Sequence, residues 1–224
     1  MPNQQTSSSR LKTGDHYRIA IMGPAEVGKS AIVNQFLYGK FQTDYKRTVE
    51  DMHCIDFELD GTKLTLELLD TAGAYSFPGM RRLAIATSHA FVLVYSQDNP
   101  ESFEEVTKLR DLILTERETQ EVPIVIVANK ADCKTKNHCK KLEAVETESA
   151  IANIDWNNGF VSASAKTGIN VVSIFEEILR LLSKEEDLSA VLMKRCVSQS
   201  ALSRKESKSQ SIRPKRKSML GRFK

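Results

Sequence analysis

The chain has 224 residues, of which 41% are hydrophobic, and its formal net charge is +3. This length fits one compact domain with a tail, and the apolar content excludes a wholly disordered chain. No apolar run approaches the length that spans a bilayer, so an integral membrane protein is not expected.

Charge is distributed unevenly along the chain. Residues 1–182 contain 20 Lys and Arg against 25 Asp and Glu, a net charge of −5, whereas residues 183–224 contain 12 against 4, a net charge of +8. We therefore expect a flexible leader over 1–16, a folded domain over 17–182 and a basic, largely disordered tail over 183–224. Anionic membrane, nucleic acid and an acidic protein surface are the partners that such a tail can bind.

The N-terminus and the cysteines predict where the protein resides. The first residues lack the apolar core of a signal peptide, and Pro2 stands where N-myristoylation requires glycine. The chain has only four cysteines, too few for a disulfide scaffold. A reducing, cytoplasmic setting is therefore expected.

The first motif follows a short apolar run, Arg18 to Met22. Gly23 to Ser30 fits the pattern G-x-x-x-x-G-K-S, and the residues after it have helical spacing. Its two glycines let the backbone bend around a phosphate, whose charge then meets backbone N–H groups, a helix N-terminus and Lys29. Ser30 is placed to hold Mg²⁺ against the phosphate oxygens. A chance glycine turn is the alternative, and the flanking strand and helix disfavour it.

A loop and a β-hairpin are predicted next. Residues 39–51 have no periodicity, and a long exposed loop beside a phosphate site is a candidate for function. Met52 to Leu59 and Thr62 to Leu69 predict two strands joined by an Asp60-Gly61 turn.

The second hairpin strand ends in the sequence D-T-A-G. Asp70 at this strand end can reach Mg²⁺, and Gly73 can offer its backbone N–H to the terminal phosphate. Taken alone, the four residues also fit an ordinary turn. Their position one hairpin after the phosphate loop favours the nucleotide interpretation.

Apolar runs typical of buried strands then alternate with segments of helical spacing. The alternation predicts an α/β fold, a mostly parallel sheet with right-handed crossovers. Ser102 and Glu105 are spaced for a capping box at the start of one helix. The predicted strands are 90–95, 122–128 and 159–161, and the predicted helices are 80–89, 102–117, 141–153 and 171–182.

Base recognition is predicted where the strand over 122–128 ends in Asn129-Lys130-Ala131-Asp132. Asn129 and Asp132 can both turn toward one planar base. A carboxylate that accepts from a ring N–H and an exocyclic NH₂ selects guanine over adenine. An ATP-dependent P-loop enzyme is therefore disfavoured.

These motifs, with Thr48 and Ser164-Ala165-Lys166, resemble the five guanine-nucleotide motifs of Ras-family small GTPases. The resemblance covers about Tyr17 to about Leu182, and Phe77 to Leu83 is most similar to the branch of dexamethasone-induced Ras, Rhes and Di-Ras. It implies a three-layer P-loop GTPase fold, the G domain, with a mostly parallel six-stranded sheet. It also implies a switch that binds GTP or GDP with Mg²⁺, hydrolyses GTP and is regulated by an exchange factor and a GAP.

The resemblance also assigns roles to residues. Thr48 would join Ser30 and Asp70 at Mg²⁺, and Lys29, Thr48 and Gly73 would act on the γ-phosphate. Phe41 would pack on the guanine edge, Lys130 and Lys166 would lie along the base, and Ala165 would donate its N–H to the guanine oxygen. Effectors would bind Val49, Glu50, Asp51 and the switch loops in the GTP state. The nucleotide set is Gly23, Ala25, Glu26, Val27, Gly28, Lys29, Ser30, Ala31, Phe41, Thr48, Asp70, Gly73, Asn129, Lys130, Asp132, Ser164, Ala165 and Lys166.

Two departures from the family pattern concern hydrolysis. Ala25 replaces a glycine of the phosphate loop and hinders an incoming arginine finger, and Ala74 replaces the glutamine that follows D-T-A-G. The expected function is therefore a signalling switch with weak intrinsic hydrolysis. The alternative is a hydrolysis-deficient scaffold that stays loaded with GTP.

A third departure concerns the tail. No cysteine follows Cys196, so the prenylation box of the family is missing from this sequence. The tail is expected to bind the inner face of the plasma membrane reversibly through its basic charge, and a solvated tail or a nuclear import signal is the alternative. We expect a monomer without a nucleic-acid partner.

Overall fold

The computed structural model describes residues 15–43, 48–59, 62–73, 78–133 and 138–183. The predicted leader before residue 15, the Asp60-Gly61 turn, Ala74 and the tail beyond residue 183 lie outside the described residues. Within the described residues, strands and helices alternate along the chain. They are β1 (Asp15–Met22), α1 (Lys29–Tyr38), β2 (Glu50–Leu59), β3 (Thr62–Thr71), α2 (Pro78–Thr87), β4 (Ala90–Ser96), α3 (Glu101–Arg117), β5 (Ile124–Asn129), α4 (His138–Ala150), β6 (Gly159–Ser162) and α5 (Val171–Ser183).

The strands form one six-stranded sheet in the order β2-β3-β1-β4-β5-β6. Among the described strands, only the β2–β3 hairpin pairs antiparallel, and every other neighbouring pair is parallel. The predicted mostly parallel six-stranded sheet is therefore confirmed. Because the parallel strands all end at the same edge, the loops that follow them meet there, and these loops carry the predicted motifs.

Apolar side chains cover both faces of the sheet and make a three-layer structure. On one face Phe36 of α1 stacks on Phe175 of α5, with 3.8 Å between ring centroids. On the other face Ile85 of α2 and Ile113 of α3 are fully buried in a second cluster. The two clusters fix the helices on which the site depends. Within the described residues, every helix is too short or too polar to cross a membrane.

Two local predictions differ from the structure. β1 begins at Asp15 rather than at Tyr17, because the backbone pairing with β3 starts there and His16 Nε2 lies 2.9 Å from a Glu67 carboxylate oxygen. The capping box is wrong: α3 begins at Glu101, and the Ser102 hydroxyl accepts a hydrogen bond from the Ser96 N–H (3.0 Å) instead.

The helix predicted over residues 141–153 also differs in its course. α4 covers His138–Ala150 and continues as a π-helical segment, Ile151–Asp155. The Trp156 N–H donates to the Ile151 carbonyl, and the Trp156 ring stacks on Phe103 of α3 with 5.7 Å between centroids. The wider π-helical turn thus places the Trp156 ring against the core.

Candidate functional site

Close packing against neighbouring atoms explains both glycines of the phosphate loop between β1 and α1. Gly23 has φ +143°, and a Cβ there would lie 2.1 Å from the Val94 carbonyl oxygen. Gly28 has φ +98°, and its Cβ would lie 2.4 Å from the Asn129 side-chain nitrogen. A larger residue would press on the β4 backbone at Gly23 and on the Asn129 side chain at Gly28, so the loop depends on glycine for space as well as for conformation.

Lys29 is the buried cation of this loop, with 6% of its surface exposed. Its Nζ donates to the Gly23 carbonyl (2.9 Å) and the Pro24 carbonyl (2.6 Å). Burial lowers the pKa of the Lys29 ammonium to about 8, and the negative charge of Asp70 opposes that shift. A phosphate beside the loop would favour the charged form of Lys29.

The three predicted metal ligands lie together where α1 begins and β3 ends. The hydroxyls of Ser30 and Thr48 share a hydrogen bond of 2.8 Å. Asp70 is 2% exposed, and among the described residues its Oδ1 has no hydrogen-bond partner. Burial raises the pKa of the Asp70 carboxyl, while the Ser30 hydrogen bond and the Lys29 charge lower it. Two hydroxyls and a buried, unsatisfied carboxylate oxygen are a donor set that fits Mg²⁺.

Gly73 brings the loop after β3 directly onto the phosphate loop. A Cβ at Gly73 would lie 2.5 Å from the Ala25 Cα and 2.8 Å from the Lys29 Nζ. Beside this contact is a cavity of about 270 Å³. Its lining includes phosphate-loop residues, Ala31, Thr48 and Gly73. Four further lining residues are not in the predicted nucleotide set: Asn34, Gln42, Asp51 and Thr71. The spacing of Asn34, one helical turn after Ser30, is the signal that could have found it.

The residues predicted to recognise the base are connected to their surroundings by hydrogen bonds and an ion pair. Asn129 donates from Nδ2 to the Val27 carbonyl (2.8 Å) and accepts at Oδ1 from the Ala165 N–H (3.1 Å). Asp132 accepts at Oδ1 from the Ser164 hydroxyl (2.6 Å), and its Oδ2 lies 3.9 Å from the Lys166 Nζ. Asn129 therefore joins the phosphate loop to the loop after β6.

The remaining predicted residues surround these two clusters. Phe41, beyond the end of α1, is 38% exposed, and Lys130 has its Nζ 3.2 Å from an Asp98 carboxylate oxygen. Glu26 is exposed on the phosphate loop with φ +63°. Val49 is 71% exposed and precedes Glu50, where β2 begins.

Comparison with known proteins identifies the family. The profile of the Ras family matches residues 18–184. The chain belongs to the Ras family. It is 36% identical over 184 residues to the GTP-binding protein Rhes of Mus musculus and to that of Homo sapiens, and these matches cover 79% of this chain and 68% of Rhes. The resemblance to the Ras family near Rhes is thereby confirmed, and the chain is a small GTPase.

Ras-family GTPases bind GTP and GDP, generally with Mg²⁺, and act as signalling proteins. In this Ras-family chain, the phosphate loop, the three candidate metal ligands and the base-recognition loops lie at one edge of the sheet. The arrangement can hold a phosphate chain at one end and a planar base at the other.

Proposed function

We propose that this chain is a guanine-nucleotide switch whose Mg²⁺ is held by Ser30, Thr48 and Asp70. The unsatisfied, buried Asp70 oxygen beside the two hydroxyls is the observation that carries the proposal. Bound Mg²⁺ would neutralise charge on the β- and γ-phosphates. Lys29 would exchange its two carbonyl acceptors for phosphate oxygens, and the Gly73 N–H would donate to the γ-phosphate.

The guanine end is proposed to be read by Asn129 and Asp132. Asp132 would accept hydrogen bonds from the ring N–H and the exocyclic NH₂ of guanine. Ala165 would donate its N–H to the guanine oxygen, while Phe41, Lys130 and Lys166 would pack against the base. The Ser164 hydrogen bond supports this role because it holds one Asp132 oxygen in place.

The GTP-bound and GDP-bound states are proposed to differ in the loops that contact the phosphate loop. The Ser30 and Thr48 hydroxyls are hydrogen-bonded to each other, and Gly73 lies against the Ala25 backbone and the Lys29 Nζ. A γ-phosphate would need Thr48 and Gly73 to rearrange around it, and such ordering of loops by the γ-phosphate is how GTPase switches act. Effectors would then bind Val49, Glu50 and Asp51, of which Val49 and Asp51 are already exposed.

The nucleotide content of the purified full chain tests the switch. Chromatography of the released nucleotide should give GDP or GTP in about equimolar amount, and chelation of Mg²⁺ should speed its release. Mainly GDP would favour the cycling switch, and mainly GTP the permanently loaded scaffold. Protein that neither carries guanine nucleotide nor binds it when it is added would contradict the proposal.

Intrinsic hydrolysis is proposed to be slow. Ala25 carries a methyl group where Gly73 approaches the phosphate loop, and Ala74, outside the described residues, has no group that can orient the attacking water. Hydrolysis stimulated by a GAP should be weak as well, because Ala25 hinders the arginine finger that a GAP supplies. Such a finger raises the hydrolysis rate by on the order of 10³ to 10⁵ where it can act, so its exclusion would set the lifetime of the GTP state. Single-turnover hydrolysis should be faster in Ala74→Gln than in the wild type. Equal rates would mean that another residue positions the water.

The basic tail is proposed to hold the protein reversibly at an anionic membrane surface. Its net charge of +8 supports this, since each basic residue near such a surface is worth about 1 kcal/mol at most. Sedimentation with liposomes should show binding that needs anionic lipid and falls with salt. Binding should fall further in the double variant Ser207→Glu, Ser218→Glu, which adds negative charge beside basic residues of the tail. Equal binding to neutral and anionic liposomes, or none to either, would leave the tail as a protein or import-receptor ligand.

A further inference from the structure

The turn between β4 and α3 lies beside the base-recognition loops but belongs to none of the five motifs. We define the β4–α3 turn as Ser96 to Asn99. The Asn99 N–H donates to the Ser96 carbonyl (2.9 Å), and the Ser102 hydroxyl both accepts from the Ser96 N–H and donates to the Asn99 carbonyl. The turn is thus tied to the first turn of α3, which packs on the core through Val106 and Leu109.

Gln97 connects this turn to the two strands that carry the base-recognition motifs. Its backbone N–H donates to the Asn129 carbonyl (3.0 Å). Its side-chain nitrogen donates to the Ala128 carbonyl of β5 (2.8 Å) and to the Ser162 hydroxyl of β6 (2.9 Å). One side chain therefore links β5 to β6 at the paired residues Ala128 and Ser162, just before the loops that carry Asp132 and Ser164.

Asp98 connects the same turn to the motif residue Lys130. The Lys130 Nζ lies 3.2 Å from Asp98 Oδ2 and 3.4 Å from Oδ1, and the Ser96 hydroxyl donates to Oδ1. Lys130 has φ +62°, a left-handed conformation that is unusual for a residue other than glycine. The ion pair thus anchors the end of a side chain whose backbone adopts this unusual conformation between Asn129 and Asp132.

We propose that Gln97 and Asp98 are positioning residues that set how fast guanine nucleotide leaves the site. Gln97 would hold the loops after β5 and β6 at the spacing that a base requires. Asp98 would direct the Lys130 side chain along the base. The inference rests on the proposed guanine-nucleotide binding and adds to it a control element outside the known motifs.

The two residues differ in the expected size of their effects. Both side chains of the Asp98–Lys130 pair are 33% exposed, and an ion pair of that kind is weak, so Asp98→Asn should speed dissociation about 2- to 5-fold. Gln97 makes two part-buried hydrogen bonds, and their loss in Gln97→Ala should speed dissociation about 3- to 10-fold. The order of the two effects is itself part of the test.

The test uses full-length protein loaded with a fluorescent GDP analogue in the presence of Mg²⁺. Dissociation is followed after addition of excess GDP for the wild type, Gln97→Ala, Asp98→Asn and Asp98→Glu. Glu101→Gln is the matched control, because it removes a nearby exposed carboxylate at the start of α3. Asp98→Glu should recover a rate near that of the wild type, since it keeps the charge.

Affinity for inorganic pyrophosphate separates positioning from general destabilisation. Pyrophosphate would engage only the phosphate loop, so its affinity should be unchanged in both variants while the GDP analogue leaves faster. Dissociation at the wild-type rate, or a parallel loss of pyrophosphate affinity and thermal stability, would overturn the inference. Wild-type protein that does not retain the GDP analogue would instead contradict the proposed function, before any variant is compared.

Discussion

The phosphate end and the base end of the candidate site are constructed differently. At the phosphate end, backbone approaches too closely to admit a Cβ at Gly23 or Gly73, and the Lys29 cation donates to carbonyls of its own loop. At the base end, side chains such as Gln97, Asn129 and Ser164 connect segments that are distant in sequence. The phosphate end therefore depends on close backbone packing and the base end on side-chain hydrogen bonds.

This difference predicts how substitutions at each end should affect ligand binding. A change in the tightly packed phosphate loop displaces backbone, so it should affect every phosphate-containing ligand. A change at the base end removes one hydrogen bond among several, so it should alter selectivity or dissociation rate and leave phosphate binding intact.

Lys29→Ala should weaken binding of GDP, GTP and pyrophosphate alike. Loss of a charged hydrogen-bonding group costs about 1.5 to 3 kcal/mol, or about 10- to 150-fold in affinity. Ser30→Asn should weaken the Mg²⁺-dependent part of the same binding. Isothermal titration with each ligand measures both effects, and near-normal affinity in both variants would contradict the assignment of the phosphate end.

Asp132→Asn should lower the affinity for guanine nucleotide and raise that for xanthine nucleotide, because the carboxylate that pairs with guanine is lost. A site that hydrogen-bonds its substrate discriminates strongly, so we expect a change of about 10- to 100-fold in the ratio of the two affinities. Competition against a fluorescent GDP analogue measures this ratio. Pyrophosphate affinity should not change, and unchanged guanine selectivity would exclude the role given to Asp132.

Gly73→Ala and Gly79→Ala form a matched pair that tests the packing. A Cβ at Gly73 would meet the Ala25 backbone at 2.5 Å, whereas a Cβ at Gly79 in α2 meets nothing within 4 Å. Gly73→Ala should lower the free energy of unfolding by about 1 to 3 kcal/mol, as overpacking does. Gly79→Ala should raise it by about 0.5 to 1 kcal/mol through helix propensity. Urea unfolding curves measure both, and equal effects would mean that the loop after β3 moves freely.

Ser164→Ala should have a small effect on GDP dissociation. Its hydroxyl donates to Asp132 (2.6 Å) and accepts from the Thr167 N–H (3.1 Å), and a net loss of about 1 kcal/mol would speed GDP dissociation about 5-fold. Thr119→Ala, at an exposed position after α3, is the control, because the Thr119 hydroxyl likewise accepts from a backbone N–H, that of Glu121 (3.2 Å). If both variants released GDP at the wild-type rate, the Asp132 side chain would not need Ser164 for its orientation.

More of the phosphate end than of the base end can be predicted from the sequence, because several of its residues are close together in the chain. Gly23, Lys29 and Ser30 lie within eight consecutive residues, so their relation is visible as a motif and the structure adds distances to it. The side chains of Gln97 and Asp98 together contact residues of three strands, β4, β5 and β6. No local sequence pattern predicts which carbonyl or hydroxyl group a side chain will contact. The capping-box prediction failed in this same region, because Ser102 bonds back to Ser96 instead of to its own helix.

One end of this site is proposed to bind phosphate and the other to select guanine. This division is tested by displacing a fluorescent GDP analogue from the full-length protein with unlabelled GDP or with ADP, in the presence of Mg²⁺. Both competitors present the same diphosphate, so GDP should displace the analogue at concentrations at least about 100-fold lower than ADP. Equal displacement by GDP and ADP would show that Asn129 and Asp132 do not read the base, and it would contradict this account.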